Sequence, residues 1–542
     1  MSLPVALVLL ANPLSLVADE QDDREALQAE IEFMYETGVL GGRGIGIAAG
    51  ELIAEVYANR SFAPAWTDPE QVAELIVAIE ATAAEGLDPA DYYVDDVRVV
   101  YEELQAGFSD SYARATADIL LTEVLIRMGY HQLFGKVNPS TLNADWNFRR
   151  DLDGRDPAVM VQDILDSRSP AEGVMNLVPR GWLYRGLMNA LAEYRRIEAS
   201  GGWPSVPEGP TLMPGDADPR LSILSERLAI TGDLAAAGTF TTYDATLEAG
   251  VRSFQRRYSL AVDGVIGPAT IAALNVPAEV RVEQLELSLE RARWVMNGLE
   301  DDFVVVNVAG FEAYLVRKGE IAWQTRVQVG RAYRQSPIFR DEIKYLVFNP
   351  TWTVPFNIAT NDLLPQIQAD VGYLAARNFS VRNRDGDIID PATIDWASLS
   401  RRNFSYTLVQ EPGPENALGR VKFMFPNEHD VYLHDTPNRA LFDSPERAFS
   451  SGCIRVENPF ELAVELLGRG WDRERIDAII ASGETTTVRM SEPLPILLLY
   501  WTAEVTPDGV VKFFSDIYGR DPDLARALKE PFSIDPPSDS PG

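Results

Sequence analysis

Ser450-Ser451-Gly452-Cys453-Ile454-Arg455-Val456 holds the only cysteine among 542 residues, and Val431-Tyr432-Leu433-His434-Asp435, just upstream, holds one of three histidines. A thiol attacks a carbonyl as its thiolate, and at pH 7 an unassisted thiol is mostly protonated. A nearby imidazole can take that proton. A lone cysteine can equally be a small buried hydrophobe, but three neighbours argue against that here. Gly452 lets the backbone turn sharply and a substrate come close. Arg455 is a fixed cation suited to a carboxylate. The polar pair Ser450-Ser451 does not suit a plain core strand. Upstream, residues 421–425 and 430–434 read as strands around the turn Pro426-Asn427-Glu428. Their alternation puts Val431, Leu433 and Asp435 on one face and Tyr432 and His434 on the other, toward a surface or cleft. His429, at the turn, is expected to face solvent.

Further outward, residues 303–308, 313–316, 324–329 and 345–355 alternate or run β-branched, and 485–501 returns to strand-like sequence. Between the Asn349-Pro350-Thr351-Trp352 strand and Val421 lie about seventy residues, a long insertion for a compact domain. Asn458 and Pro459 start a helix that Gly468 ends. The first 200 residues read as helical. Val72, Leu75, Ile76 and Ile79 share one face, residues 117–134 form a long helical run, and His131 on that run is expected to be packed. Gly44-Ile45-Gly46 mimics a dinucleotide fingerprint without a preceding strand, so it is read as a turn. Glycine and proline between 201 and 219 read as a linker. Residues 282–294 are helical, and 530–542 form a proline-rich tail expected to be disordered.

The net charge of −33 argues against nucleic acid, whose phosphates would be repelled, and is read as a solvated acidic surface. One cysteine excludes an intramolecular disulfide framework. Residues 1–18 are apolar up to an acidic run and resemble a secretory leader, too short and broken to span a bilayer. In an oxidising compartment a lone free thiol is unusual unless it serves chemistry.

His434, a gap, then Ser450-Ser451-Gly452-Cys453-Ile454-Arg455 resembles the signature of the YkuD-type L,D-transpeptidases, in the form carried by large periplasmic enzymes of Gram-negative bacteria. Ser451 stands where many members have a second histidine. Residues 220–277, with Phe254-Gln255 and Asp263-Gly264-Val265-Ile266-Gly267, resemble the small three-helix peptidoglycan-binding domain of wall enzymes. The resemblance implies a multidomain α+β chain. Its parts are a leader over 1–18, a mostly helical scaffold domain over 19–200, a linker over 201–219, the binding domain over 220–277 and a connecting helix over 278–300. A mainly-β catalytic domain follows over 301–525, with a helical capping insertion over about 356–418.

The resemblance also implies the chemistry. Cys453 would attack a tetrapeptide donor stem, release D-alanine and form a thioester, and an acceptor amine would complete a 3→3 cross-link. His434 is the expected base, the backbone carbonyl of Asp435 its orienter, and the amides around Gly452 and Cys453 the oxyanion donors. Arg455, Ser451, Tyr432 and Trp352 are the expected substrate-binding residues. No cofactor and no metal are implied; the partners are stem peptides and glycan, with no nucleic acid and no transmembrane span. The same acyl-enzyme meeting water gives an L,D-carboxypeptidase. A sortase-like enzyme is disfavoured by the closeness of Arg455 to Cys453, and a non-catalytic wall-binding scaffold by the Cys453–His434 pair.

Overall fold

The computed structural model describes residues 13–532 and 534, apart from 144, 149, 151, 153 and 178–180. The first twelve residues of the expected leader and the tail beyond 534 lie outside the described residues. The chain is 45% helix and 16% strand, with the helices leading and the sheet following, so the class is multidomain α+β.

The helical region is built around Ser111–Phe134, a helix buried on nearly every side. An all-round buried helix must satisfy its polar groups internally. Asp118 accepts from the amides of Ala65 and Trp66 at 2.9 and 3.0 Å, and Glu123 accepts from Ala48 and Ala49 at 3.1 and 3.0 Å. The glycine-rich run before Ala48 is therefore a small hairpin, Val39–Leu40 against Ile45–Gly46, that docks on this helix. His131 is fully buried and its Nδ1 pairs with Tyr92 Oη at 2.7 Å. Asp68, Asp110 and Asp156 each cap a following helix by accepting amide hydrogen bonds, which is why those helices start where they do.

The unit over 220–277 holds the three helices Arg220–Ile230, Ala245–Arg257 and Pro268–Leu274. Its Phe-Gln and Asp-Gly motifs act together. Phe254 fills the core, while Gln255 Nε2 donates to Asp263 Oδ1 and the Val265 carbonyl at 3.0 Å and Gln255 Oε1 accepts from the Gly264 amide at 2.9 Å. The segment read as a linker packs on this unit: Val206 and Leu212 are buried, and Leu212 pairs with Ile266. Composition marked its glycines and prolines; the two apolar residues between them hold it down.

The helix Ala278–Met296 then runs through the middle of the molecule, buried along most of its length. Glu290 and Arg293 form an ion pair at 2.7 Å; Glu290 also accepts from the Val137 amide at 2.8 Å, and Arg293 donates to the Glu85 carbonyl at 2.9 Å. Removing either partner would strand a buried charge, so the pair fixes this helix to the scaffold.

The nine-stranded sheet follows the order 448–450, 320–330, 454–456, 433–434, 421–424, 339–348, 486–499, 303–307, 312–317. The last strand also pairs with 320–330, so the sheet closes on itself. Val304, Val306, Leu315, Val327, Leu346, Phe423, Leu433, Ile454 and Val456 fill its interior. The expected strand 430–434 is reduced to Leu433–His434. Asn427 is the cause: its amide side chain donates to the carbonyls of Phe425 and Val431 and accepts from the amides of His429 and Val431, replacing ladder bonds with a wide turn.

The insertion is helical over much of 356–376, as read from sequence, but it also carries a four-stranded sheet of Trp352–Thr353, Thr407–Gln410, Phe379–Arg382 and Ile388–Ile389. Its own core includes Leu363, Ile367, Leu374, Phe379, Val381, Trp396 and Leu408. Phe379 and Val381 face inward with the period of a strand, which converts part of the expected helical cap into sheet.

Candidate active site

Three neighbouring strands bring the chemistry together. Leu433–His434 runs antiparallel to Val421–Met424, opposing His434 to Lys422, and parallel to Ile454–Val456, opposing His434 to Arg455. Lys422, His434 and Arg455 thus form a cross-strand row. Because side chains alternate, Tyr432 and Cys453 lie one step along the same face. The Tyr432 and His434 rings sit 5.7 Å apart, with Lys422 Nζ 5.5 Å from the Tyr432 ring. The face is not open at His434, which is only 3% exposed; the expectation of an imidazole facing an open cleft is corrected by this burial.

His434 Nδ1 lies 2.5 Å from the Asp435 carbonyl oxygen. That contact assigns the proton to Nδ1, leaving the Nε2 lone pair as the basic position. Burial first, then the charge of Arg455 and further that of Lys422, lowers the imidazole's pKa to about 3, against the carbonyls of Asp435 and Leu418. The ring is neutral at physiological pH. The Asp435 carboxylate is separately engaged, by Arg439 at 2.5 Å and by the Arg420 amide at 2.8 Å.

Cys453 is half-buried, and its Sγ lies 3.7 Å from the Asp430 carbonyl. Burial pushes the thiol pKa up, opposed by hydrogen bonding from Tyr432 and by the charge of Arg455. The proton that a nearby imidazole was expected to take is therefore held more tightly than in an ordinary thiol. Among the described residues the thiol's hydrogen-bond partners are Asp430 and Tyr432, and His434 is a diagonal neighbour on the same face.

The loop before Cys453 is held by serines. Gly452 has φ +121°, a conformation that L side chains rarely adopt. Its carbonyl accepts from Ser336 Oγ at 2.7 Å, and Ser450 Oγ donates to the Cys453 carbonyl at 2.6 Å. The Gly452 amide, expected as an oxyanion donor, is instead taken up by Ser450 Oγ at 3.1 Å. Ser451 is exposed and accepts from Arg334 at 2.9 Å. Arg455 donates to Gln328 at 3.2 Å and keeps a buried Nε without a partner. Trp352 is partly buried and packs against the insertion core, its ring 6.3 Å from that of Phe379. His429 is half-buried rather than solvent-facing, edge-on to Phe339 at 4.9 Å.

Sequence reasoning missed Lys422, Ser336, Arg334 and Tyr518. Lys422 sits on the strand Val421–Met424, and only the register brings it opposite His434. Tyr518 Oη donates to the Gly330 carbonyl at 2.6 Å and accepts from the Ser336 amide at 3.1 Å, a link across almost two hundred residues with no local signal. Among the described residues no group of three or more His, Cys, Asp or Glu could hold a metal ion, and no helix is long and apolar enough to cross a membrane.

Three family models match the chain: a scaffold domain over residues 51–191, a putative peptidoglycan binding domain over 218–274 and the L,D-transpeptidase catalytic domain (YkuD) over 301–476. A putative L,D-transpeptidase of Haemophilus influenzae is 38% identical over 219 residues, 40% of this chain and 44% of that protein; the chain thus spans less than half the length of this curated relative. Among solved structures, the L,D-transpeptidase of Xylanimonas cellulosilytica is 14% identical with a TM-score of 0.18, covering 54% of this chain and 98% of that one. A carbamoyl enzyme formed with avibactam is 12% identical with a TM-score of 0.18, covering 37% and 49%.

Proposed function

We propose that this chain, which carries a YkuD-type L,D-transpeptidase catalytic domain together with a peptidoglycan-binding and a scaffold domain, forms 3→3 peptidoglycan cross-links through Cys453. The carrying observation is His434, its Nδ1 held by the Asp435 carbonyl, on the same sheet face as the chain's single thiol.

In this reading the thiol turns from the Asp430 carbonyl toward His434. His434 Nε2 takes the thiol proton as Sγ bonds to the carbonyl carbon of the third stem residue. The Cys453 amide is the loop donor left to stabilise the oxyanion, since the Gly452 amide is engaged. The tetrahedral adduct collapses by breaking the bond to the terminal D-alanine, whose amine receives the proton from His434. A thioester remains. An acceptor amine then attacks it, gives a proton to His434 and releases the thiol with that proton. Arg455 and Lys422 supply cations for the carboxylates of the stem. Substrate lies outside the cytoplasm, so the proposed site of action is the periplasmic wall, with the 220–277 unit holding the glycan-peptide polymer.

Incubation with purified tetrapeptide stems tests this by mass spectrometry. Wild type should release free D-alanine and yield 3→3 dimers, and Cys453→Ala and Cys453→Ser should yield neither. Cross-linking retained in either variant sinks the assignment. D-Alanine release without dimers assigns the L,D-carboxypeptidase reaction instead. Wild type should also pellet with isolated sacculi, and failure to do so removes the wall-binding role.

A further inference from the structure

We propose that Arg334 is a positioning residue that ties the capping insertion to the Ser451–Cys453 loop, so that the seating of the cap and the geometry around the thiol are set together. This rests on the reading of Cys453 as nucleophile only for its consequence in catalysis. The coupling itself is a property of the fold.

Arg334 reaches both sides. Its Nη1 lies 2.6 Å from Asp362 Oδ2 and its Nη2 3.3 Å from Asp362 Oδ1, a two-pronged pair with the cap. The same Nη1 donates to Ser451 Oγ at 2.9 Å. A planar guanidinium presents such a fork in a fixed geometry, whereas a lysine ammonium is a point charge with rotatable donors. Among the described residues this is the one ion pair that crosses from residues 352–418 to the rest of the chain.

Each end of the link is anchored differently. The turn bearing Arg334 is bolted to the barrel. Gly330 leaves no room for a side chain, because a Cβ there would meet the Arg334 carbonyl at 2.2 Å. The Arg331 amide donates to the Ser450 carbonyl at 3.1 Å, and Ser336 holds the Gly452 carbonyl. Asp362 sits in the wide helical turn Ala359–Leu363, inside a unit with a core of its own. Wide turns of this kind inside α-helices are frequent at functional sites. The cap is therefore a separate packing body, and Arg334 is a polar hinge-pin between it and the nucleophile loop. Arg334 and Asp362 are 21% and 38% exposed, so the pair is partly screened and weak enough to open and reform.

The experiment is hydrogen exchange by mass spectrometry on the full chain, comparing wild type, Arg334→Gln, Asp362→Ala and the double variant. Among the described residues the Asp362 carboxylate is hydrogen-bonded to Arg334 and to no residue of the 448–456 loop, so Asp362→Ala is the decisive change. It should speed exchange about 1.5-fold to fivefold in residues 359–369 and also in 448–456. Arg334→Gln should do the same, and the double variant should add nothing to either. Unchanged exchange in 448–456 for Asp362→Ala, or additive effects in the double variant, overturns the proposal. Carbapenem acylation of Cys453 should slow in both single variants by a similar factor. Exchange is read without turnover, so a wild-type chain that fails to cross-link stems refutes the proposed function and leaves the coupling standing on its own measurement.

Discussion

The resting protonation state of Cys453 decides how the thiol is activated, and this chain allows it to be read directly. The cysteine is unique, so alkylation by iodoacetamide, followed by intact mass, reports that one thiol. Burial pushes its pKa above the ordinary value. An unperturbed thiol of pKa about 8.5 is about 3% thiolate at pH 7, so Cys453 should be below that. Below its pKa a thiol gains thiolate tenfold per pH unit. The alkylation rate should therefore rise about 100-fold between pH 6 and 8 and reach no plateau below about pH 8.5.

His434 sharpens the expectation. Its pKa near 3 means that no imidazole protonation occurs between pH 5 and 8, so the profile should show a single rise with no second inflection. A preformed thiolate–imidazolium pair predicts the opposite: a thiolate already present at pH 6 and a nearly flat rate up to pH 8. A flat profile, or a plateau reached below pH 7, refutes the burial argument and restores the ion pair. Arg455→Met supplies the perturbation. Arg455 stabilises the thiolate and disfavours the imidazolium. Its loss should move the thiol's midpoint further up, slowing alkylation at pH 7 by up to about tenfold for each pKa unit gained. Faster alkylation in that variant would show that the cation acts mainly on His434.

Two further outcomes follow from the same site. Gly419 has φ +62° and a Cβ there would meet the Asp435 side chain at 2.4 Å; Gly419→Ala should cost about 1–3 kcal/mol in urea unfolding and slow carbapenem acylation by displacing the residue that orients His434, and a variant as stable and as fast as wild type would contradict the packing. His434, held near pKa 3 against an ordinary 6.5, stabilises the fold above pH 6.5 and loses that contribution as pH falls toward 3; by pH 4 the loss is about 3 kcal/mol, so the urea midpoint of His434→Gln should fall less between pH 7 and 4 than that of wild type, and equal falls would exclude the buried neutral imidazole.

What the sequence disclosed was period and punctuation, not partners. The alternation Val431-Tyr432-Leu433-His434 was enough to pair Tyr432 with His434 on one face, and the structure keeps them there. Gln255 and Asp263-Gly264 were legible as a motif because both ends of their hydrogen bonds lie within nine residues. Lys422 was not legible as a site residue, since its place opposite His434 depends on a strand register that no local pattern states. Nor was the sign of the Cys453 shift. Spacing places a base near the thiol, but the direction of the shift depends on desolvation by the surrounding strands and on Tyr432, both set by tertiary packing. The insertion's strands Phe379–Arg382, Ile388–Ile389 and Thr407–Gln410 were lost for a different reason. They are two to four residues long, below the length at which alternation is distinguishable from loop.

The whole-chain charge of −33 conceals the local electrostatics. Along the sheet face the imidazole lies between Lys422 and Arg455, with Arg331 near Arg455. A base works best when its pKa lies near the working pH, and His434 near 3 is a poor one. Burial is the larger cause, but the two cations are the part that a ligand can change. A carboxylate seated on Arg455 or Lys422 cancels their repulsion of a proton on the ring and raises its basicity in place. In the proposed reaction the donor stem brings such carboxylates. The thiol would then meet a competent base only when a stem occupies the face, and at other times it would remain neutral, half-buried and slow to react.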